Sequence, residues 1–168
     1  MYDTDSPEAI VVGGGLVGSS IAYHLTRAGV STLLIEQGDL ASGASGANFG
    51  NVQVADAEFG LSLDLTLRSF ARFATLEAEL DYPVGFLRTG SLLLIENAQQ
   101  LALMQERAAR LQAVGLRVAL LDRDETRRLE PFLDPEAFLG ALYHPDEGTL
   151  DPFRLVRAFV RRGQGHGL

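Results

Sequence analysis

The sequence contains no cysteine. Disulfides, thiolate zinc sites and cysteine-linked cofactors are therefore excluded within it. Lysine is absent too: all 14 basic residues are arginine, set against 22 Asp and Glu. A net charge of −8 counts against nucleic acid or an anionic membrane surface as partner. No apolar run approaches the length of a membrane span, and the stretch Met1 to Glu8 is polar and acidic, unlike a signal peptide. These features set the expectation of a soluble, cytoplasmic chain without an integral membrane segment. Internal repeats and low-complexity tracts are missing as well.

What is present is enough apolar material for a core. Hydrophobic residues make up 46% of 168 positions, which allows one compact domain or one and a fraction. The most informative stretch is Ala9-Ile10-Val11-Val12-Gly13-Gly14-Gly15-Leu16-Val17-Gly18. Its β-branched run predicts a strand covered on both faces. Gly13 permits a sharp turn out of that strand, and Gly15, lacking a Cβ, lets a pyrophosphate approach the backbone. Gly18 lets the following helix sit close to the sheet. The free N–H groups at such a helix start, with the positive end of the helix dipole, favour phosphate. A second strand, Thr32-Leu33-Leu34-Ile35, delivers Glu36 eighteen residues after Gly18, where a carboxylate can accept hydrogen bonds from a ribose diol. The same carboxylate would repel a 2′-phosphate, which argues against NADP. Between the strands the spacing predicts a helix over Leu16 to Ala28 with Val17, Ile21, Ala22 and Leu25 facing the sheet and Gly29 just past its end.

After Glu36 the chain continues as Gln37-Gly38-Asp39-Leu40-Ala41-Ser42-Gly43-Ala44-Ser45-Gly46-Ala47-Asn48-Phe49-Gly50-Asn51, nearly all small residues. An ordinary NAD-binding unit would go on with a regular helix and a third parallel strand. This composition suits a backbone lying flat against a large ligand, with amides and short hydroxyls as donors. A flexible linker has similar composition, but Phe49, Val52 and Val54 argue against one.

The strand–GGGLVG–helix, Glu36 and the ASGASGANFGNV segment together resemble the amino end of the FAD-dependent amine and amino-acid oxidoreductases, the group of glycine oxidase and sarcosine oxidase. Val84-Gly85-Phe86-Leu87-Arg88-Thr89-Gly90-Ser91-Leu92-Leu93-Leu94 is similar to the first strands of that group's substrate domain. Tyr143-His144-Pro145-Asp146-Glu147-Gly148-Thr149-Leu150-Asp151-Pro152 is similar to its return to the flavin domain. The resemblance implies an α/β fold: a Rossmann-like FAD-binding βαβ unit with part of an α+β, antiparallel-sheet substrate domain, incomplete. It divides the chain into a flavin-domain part over 1–82, a partial substrate domain over 83–150 and a return helix over 151–168. It further implies FAD as cofactor, with Gly13, Gly15, Leu16, Val17 and Gly18 at the pyrophosphate. Glu36 and Gln37 then lie at the adenosine ribose and Ala44 and Ser45 near the phosphate or ribityl chain. Phe49, Gly50 and Asn51 pass the isoalloxazine. The implied substrate is a small amine or amino acid, oxidised beside its nitrogen to an imine that water hydrolyses. No catalytic residue and no metal site is named, since the cofactor carries the redox chemistry. The family's second half would supply further sheet strands and most of the substrate pocket, from a longer chain or a second polypeptide. Two other readings stay open on sequence alone: an NAD-linked dehydrogenase domain, and an inactive fragment.

The remaining segments read as framework. Phe59, Leu63, Leu67, Phe70, Phe73 and Leu76 recur at helical spacing up to about Leu80, where Asp81-Tyr82-Pro83 stops the helix. Phe86–Leu87 and Ser91–Ile95 read as strands paired across Arg88-Thr89-Gly90. Ala98 to Ala113 is an amphipathic helix with Leu101, Met104, Ala108 and Leu111 inward. Leu116 to Leu121 is a strand, and Asp122 with Glu125 forms a capping box. Leu139 to Tyr143 is a further strand. His144-Pro145-Asp146-Glu147-Gly148 reads as a turn rather than a metal site, and Asp151 caps a last helix from Pro152. His24 reads as a half-exposed helix histidine without a companion at ligand spacing.

Overall fold

A computed structural model describes residues 6–168; Met1–Asp5, part of the acidic stretch discussed above, lie outside the described residues. In chain order the elements are β1 (Ala9–Val12), α1 (Leu16–Arg27), β2 (Thr32–Ile35), β3 (Asn51–Val52), α2 (Leu61–Arg72), α3 (Leu76–Leu80) and β4 (Ser91–Ile95). They continue with α4 (Ala98–Ala113), β5 (Ala119–Asp122), α5 (Arg123–Leu129), a 3₁₀ turn (Pro135–Ala137), β6 (Gly140–His144), β7 (Gly148–Thr149) and α6 (Pro152–Gln164). The chain forms two compact units. One takes Met1–Asn51, Ala71–Phe86 and Leu150–Leu168; the other takes Val52–Phe70 and Leu87–Thr149.

In the first unit β1 and β2 pair in parallel, Ile10 opposite Leu33 and Val12 opposite Ile35, with α1 as the crossover. Gly18 is what lets that crossover close. A Cβ there would stand 1.9 Å from the Gly13 carbonyl oxygen, so only glycine allows the helix this near the strand end. The expected sheet-facing set of α1 needs correction. Ser19, Ala22, Tyr23 and Thr26 are the buried ones, whereas Val17 and Ile21 are exposed. The reason is the partner: Tyr23 packs with Phe159 of α6, ring centroids 5.7 Å apart, in a core that also holds Leu76, Leu80, Val84, Leu155 and Ala158. Burying each large side chain of this kind contributes about 1.5–3 kcal/mol. The expectation that β1 is covered on both faces also fails, since Ile10 is 58% and Val12 81% exposed. The β-branched run reports the strand, but nothing among the described residues covers that face of the two-stranded sheet.

The second unit is built on an antiparallel sheet in the order β4-β6-β5. The expected hairpin between Phe86–Leu87 and Ser91–Ile95 is not formed. Ser91–Ile95 pairs instead with Gly140–His144, and Leu87 bridges to Thr149. Below the sheet, α4 supplies Ala108 and Leu111 to a core with Val54, Leu63, Val118 and Leu142. The apolar stripe from Phe59 to Leu76 is split by Phe73, Ala74 and Thr75 into α2 and α3, so that Leu63 and Leu67 serve this core while Phe73 and Leu76 serve that of the first unit. The Asp122–Glu125 capping box forms as read. The Asp151 side chain accepts from the Phe153 and Arg154 N–H groups at the start of α6.

Candidate functional site

The site grows from the turn between β1 and α1. Gly13 takes φ +109° and donates its N–H to the Ile35 carbonyl at 2.7 Å, fixing the turn to the end of β2. Gly15 is the N-cap of α1 and has no side chain to satisfy the first N–H groups. Leu16 N–H donates to Ser45 Oγ at 2.9 Å. The N–H groups of Val17 and Gly18 have no protein acceptor among the described residues. A Cβ on Gly15 would meet only the Ser45 side chain, its Oγ at 2.9 Å and its Cβ at 3.7 Å. The turn is therefore an open notch, with free amide donors and a serine hydroxyl whose own proton can still be donated. That donor set fits an anionic group at the end of a helix dipole.

Glu36 closes the other side. Its carboxylate accepts from Gly14 N–H at 2.6 Å and from Gly38 N–H at 2.9 Å. These bonds, that from Gly14 foremost, hold the carboxyl below the ordinary Glu range. Two backbone donors use about half of a carboxylate's acceptor positions, so the rest can take a pair of hydroxyls. A carboxylate in this position suits a sugar diol and opposes a phosphate.

Among the sequence-predicted residues, the structure thus brings together Gly13, Gly15, Leu16, Gly18, Glu36 and Ser45. Val17 and Gln37 are exposed beside them, as is Ala44. Phe49 is 94% exposed and Asn51 is exposed too; no hydrogen bond among the described residues ties either to the glycine turn. Gly50 is buried at φ +70°, and a Cβ there would lie 2.0 Å from the Leu150 carbonyl oxygen. Its close approach to the Leu150 backbone, which donates to the Gly50 carbonyl at 2.9 Å, gives this glycine a packing reason of its own.

Two residues that the sequence reading passed over organise these segments. Asn48 reaches back with Nδ2 to the Ala44 and Ser45 carbonyls, at 3.0 and 2.8 Å, while its Oδ1 accepts Gly50 N–H at 2.7 Å. An asparagine inside a run of small residues is a turn-forming signal that could have marked it. In the second unit Glu147 is 1% exposed. Its Oε1 accepts from Val54 and Ala55 N–H at 2.5 and 2.6 Å, and its Oε2 accepts from the Ser91 hydroxyl. The acidic residue read as part of a turn is a buried clamp. Its neighbour His144 is buried as well, with Nδ1 accepting Asp146 N–H at 3.1 Å.

A parallel βαβ unit with a glycine turn, free helix-start amides and a diol-compatible carboxylate defines the class of dinucleotide-binding proteins. Comparison with known proteins narrows this. The model of the family "FAD dependent oxidoreductase" matches residues 8–168, and the chain belongs to that family. It is 32% identical to mouse mitochondrial sarcosine dehydrogenase over 162 residues, covering 92% of this chain and 17% of that protein. Glycine oxidase from Bacillus cereus superposes with a TM-score of 0.85 at 28% identity, over 96% of this chain and 45% of the oxidase. A glycerophosphate oxidase from Mycoplasma pneumoniae, solved with FAD bound, shares the fold at a TM-score of 0.82 and 21% identity. The chain spans less than a fifth of the dehydrogenase and under half of the oxidase. Family membership favours flavin over the nicotinamide alternative. No helix of the described residues is long and apolar enough to cross a membrane.

Proposed function

We propose that this chain is the amino-terminal, FAD-holding part of an oxidoreductase acting on a small amine or amino acid. The observation that carries the reading is the open notch at Gly15, with Glu36 fixed opposite by the Gly14 and Gly38 amides. The pyrophosphate would sit on the first-turn amides of α1 and the Ser45 hydroxyl, and the adenosine ribose on the Glu36 carboxylate with Gln37 beside it. Gly13 and Gly18 shape the turn, and Leu16 and Val17 carry two of its amides. Ala44 would border the phosphates, while Phe49, Gly50 and Asn51 would run along the ring system. Bound there, FAD supplies a two-electron acceptor for the C–H bond next to the substrate nitrogen. The protein's own contribution is orientation: Asn48 holds the small-residue loop in one shape, and Glu36 fixes the ribose end. None of the described side chains is assigned the role of acid or base.

The uncovered apolar face of Ile10, Val12, Leu33 and Ile35 supports one further element of the reading. Additional strands and helices, from a longer form of the chain or from a second polypeptide, would complete the flavin domain and the substrate pocket. The test is to purify the intact protein with any such partner and record its visible spectrum. Small amino acids and N-methylated amines are then added without oxygen. Flavin absorption that bleaches with one of these compounds supports the proposal. A colourless protein that takes up no added FAD would overturn it.

A further inference from the structure

At the opposite end of α1, about 18 Å of helix away from the glycine turn, the first unit carries a second concave site. It is an open cleft of about 520 Å³ lined by Tyr23, Arg27, Thr75, Glu79, Arg162 and His166. Glu79 is its one carboxylate among the described residues, and it is already fully engaged. It takes hydrogen bonds from Arg27 at 2.7 Å, from Arg72 at 2.7 and 2.8 Å and from the Tyr23 hydroxyl at 3.2 Å. Burial works to raise its pKa, but the Arg72 bonds and charge, with Tyr23 and Arg27, outweigh this and hold it below the ordinary Glu range. The other acid on the same helix, Glu77, turns to the Gly85 N–H at 2.9 Å.

Arg162 is left without an acceptor among the described residues. It makes no hydrogen bond or ion pair among the described residues, and its Nε is buried without a partner. A buried N–H donor with no acceptor is costly, since it has lost water and gained no partner. Arg27 and Arg72 pair with the Glu79 carboxylate while Arg162 lines the same cleft, a surplus of two positive charges among the described residues.

We propose that this cleft binds a small organic dianion, a dicarboxylate or a phosphate monoester, with its charged head on Arg162 and its flank near Arg27 and His166. The planar fork of Arg162 suits either head group, because both offer paired oxygens to parallel N–H donors. A cleft of this size holds more than the head group alone. The site is independent of flavin binding, which falls at the other helix end.

Nuclear magnetic resonance of the histidine ring protons in the intact protein tests this. Succinate and inorganic phosphate are titrated separately at constant pH and ionic strength. His24 and His166 report from the cleft side, and His144, in the other unit, serves as the reference. Saturable shifts at His166 and His24 with one probe, absent at His144, are expected, and the probe that saturates first names the head group. Arg162→Gln should weaken binding at least tenfold, and Arg162→Lys, which keeps the charge but not the fork, should weaken it less. Arg154→Gln, an exposed charge on the same helix, should leave it unchanged. No shift with either probe, equal shifts at all three histidines, or undiminished binding in Arg162→Gln would overturn the proposal. The ring-proton signals of His24, before any probe is added, show in each variant that the first unit stays folded, and that of His144 does the same for the second.

Discussion

Replacing Glu147 by alanine removes the acceptor of two buried backbone amides and of one serine hydroxyl. Val54 and Ala55 are both almost completely buried, and neither N–H has another acceptor among the described residues. Ser91 is half-buried and can turn its hydroxyl elsewhere, so the two amides dominate the cost. A buried donor left unpaired costs about 1–3 kcal/mol, which makes the loss about 2–6 kcal/mol against a typical domain stability of about 5–15 kcal/mol. Glu147→Gln keeps the volume, keeps one oxygen for the amides, and presents an NH₂ that can donate to the Ser91 oxygen. Its cost should be nearer 1 kcal/mol. Urea unfolding of both variants in the intact protein, at unchanged m-value, measures the two losses. Amide hydrogen exchange at Val54 and Ala55 shows whether the loss sits where the carboxylate was. An alanine variant within about 1 kcal/mol of the parent, or alanine and glutamine variants of equal stability, would refute the clamp.

Gly18→Ala should destabilise the first unit by about 3 kcal/mol, because the new methyl meets the backbone oxygen of Gly13 and not a yielding side chain; thermal unfolding checks this. Glu36→Gln should weaken FAD binding about tenfold by removing a charged acceptor, read from flavin fluorescence on titration. The pH dependence has a definite sign. His24 lies below its ordinary value of 6.5 through burial first, then the Arg72 charge, and Glu79 lies below 4.5. In both cases the unfolded chain binds protons more readily than the folded one, so stability falls on acidification. The decline should begin below about pH 6.5 with His24 and steepen below about pH 4.5 with Glu79. In His24→Gln the first part of the decline should vanish from the unfolding midpoints.

Local patterns were readable where one element's residues decide the outcome. Thr32–Ile35 and Ala98–Ala113 have the bounds that their apolar periods suggest, and the caps at Asp122 and Asp151 follow from side-chain chemistry within three residues. The glycine turn was legible for the same reason: Gly13 takes a positive φ at the end of β1, and Gly18 is held to glycine by the Gly13 carbonyl within the same βαβ unit. What failed was whatever depends on a distant partner. Ser91–Ile95 finds its strand partner some fifty residues on, and no adjacent turn signal can announce that. Val17 and Ile21 have the right spacing for a buried face, but spacing does not say that α6 covers the neighbouring stripe instead. Glu147 looked like a loop acid because its three donors come from residues 91, 54 and 55.

The central claim is that the notch at Gly15 admits the pyrophosphate of FAD. A valine at that position would put its Cβ 2.9 Å from Ser45 Oγ and fill the notch with methyl groups, while the strand–helix contact at Gly18 stays untouched. The direct measurement is the FAD dissociation constant of the intact protein and of its Gly15→Val variant, with circular dichroism to show that both are folded. The account predicts saturable binding in the first and none in the second. Equal affinity in two folded proteins would contradict it.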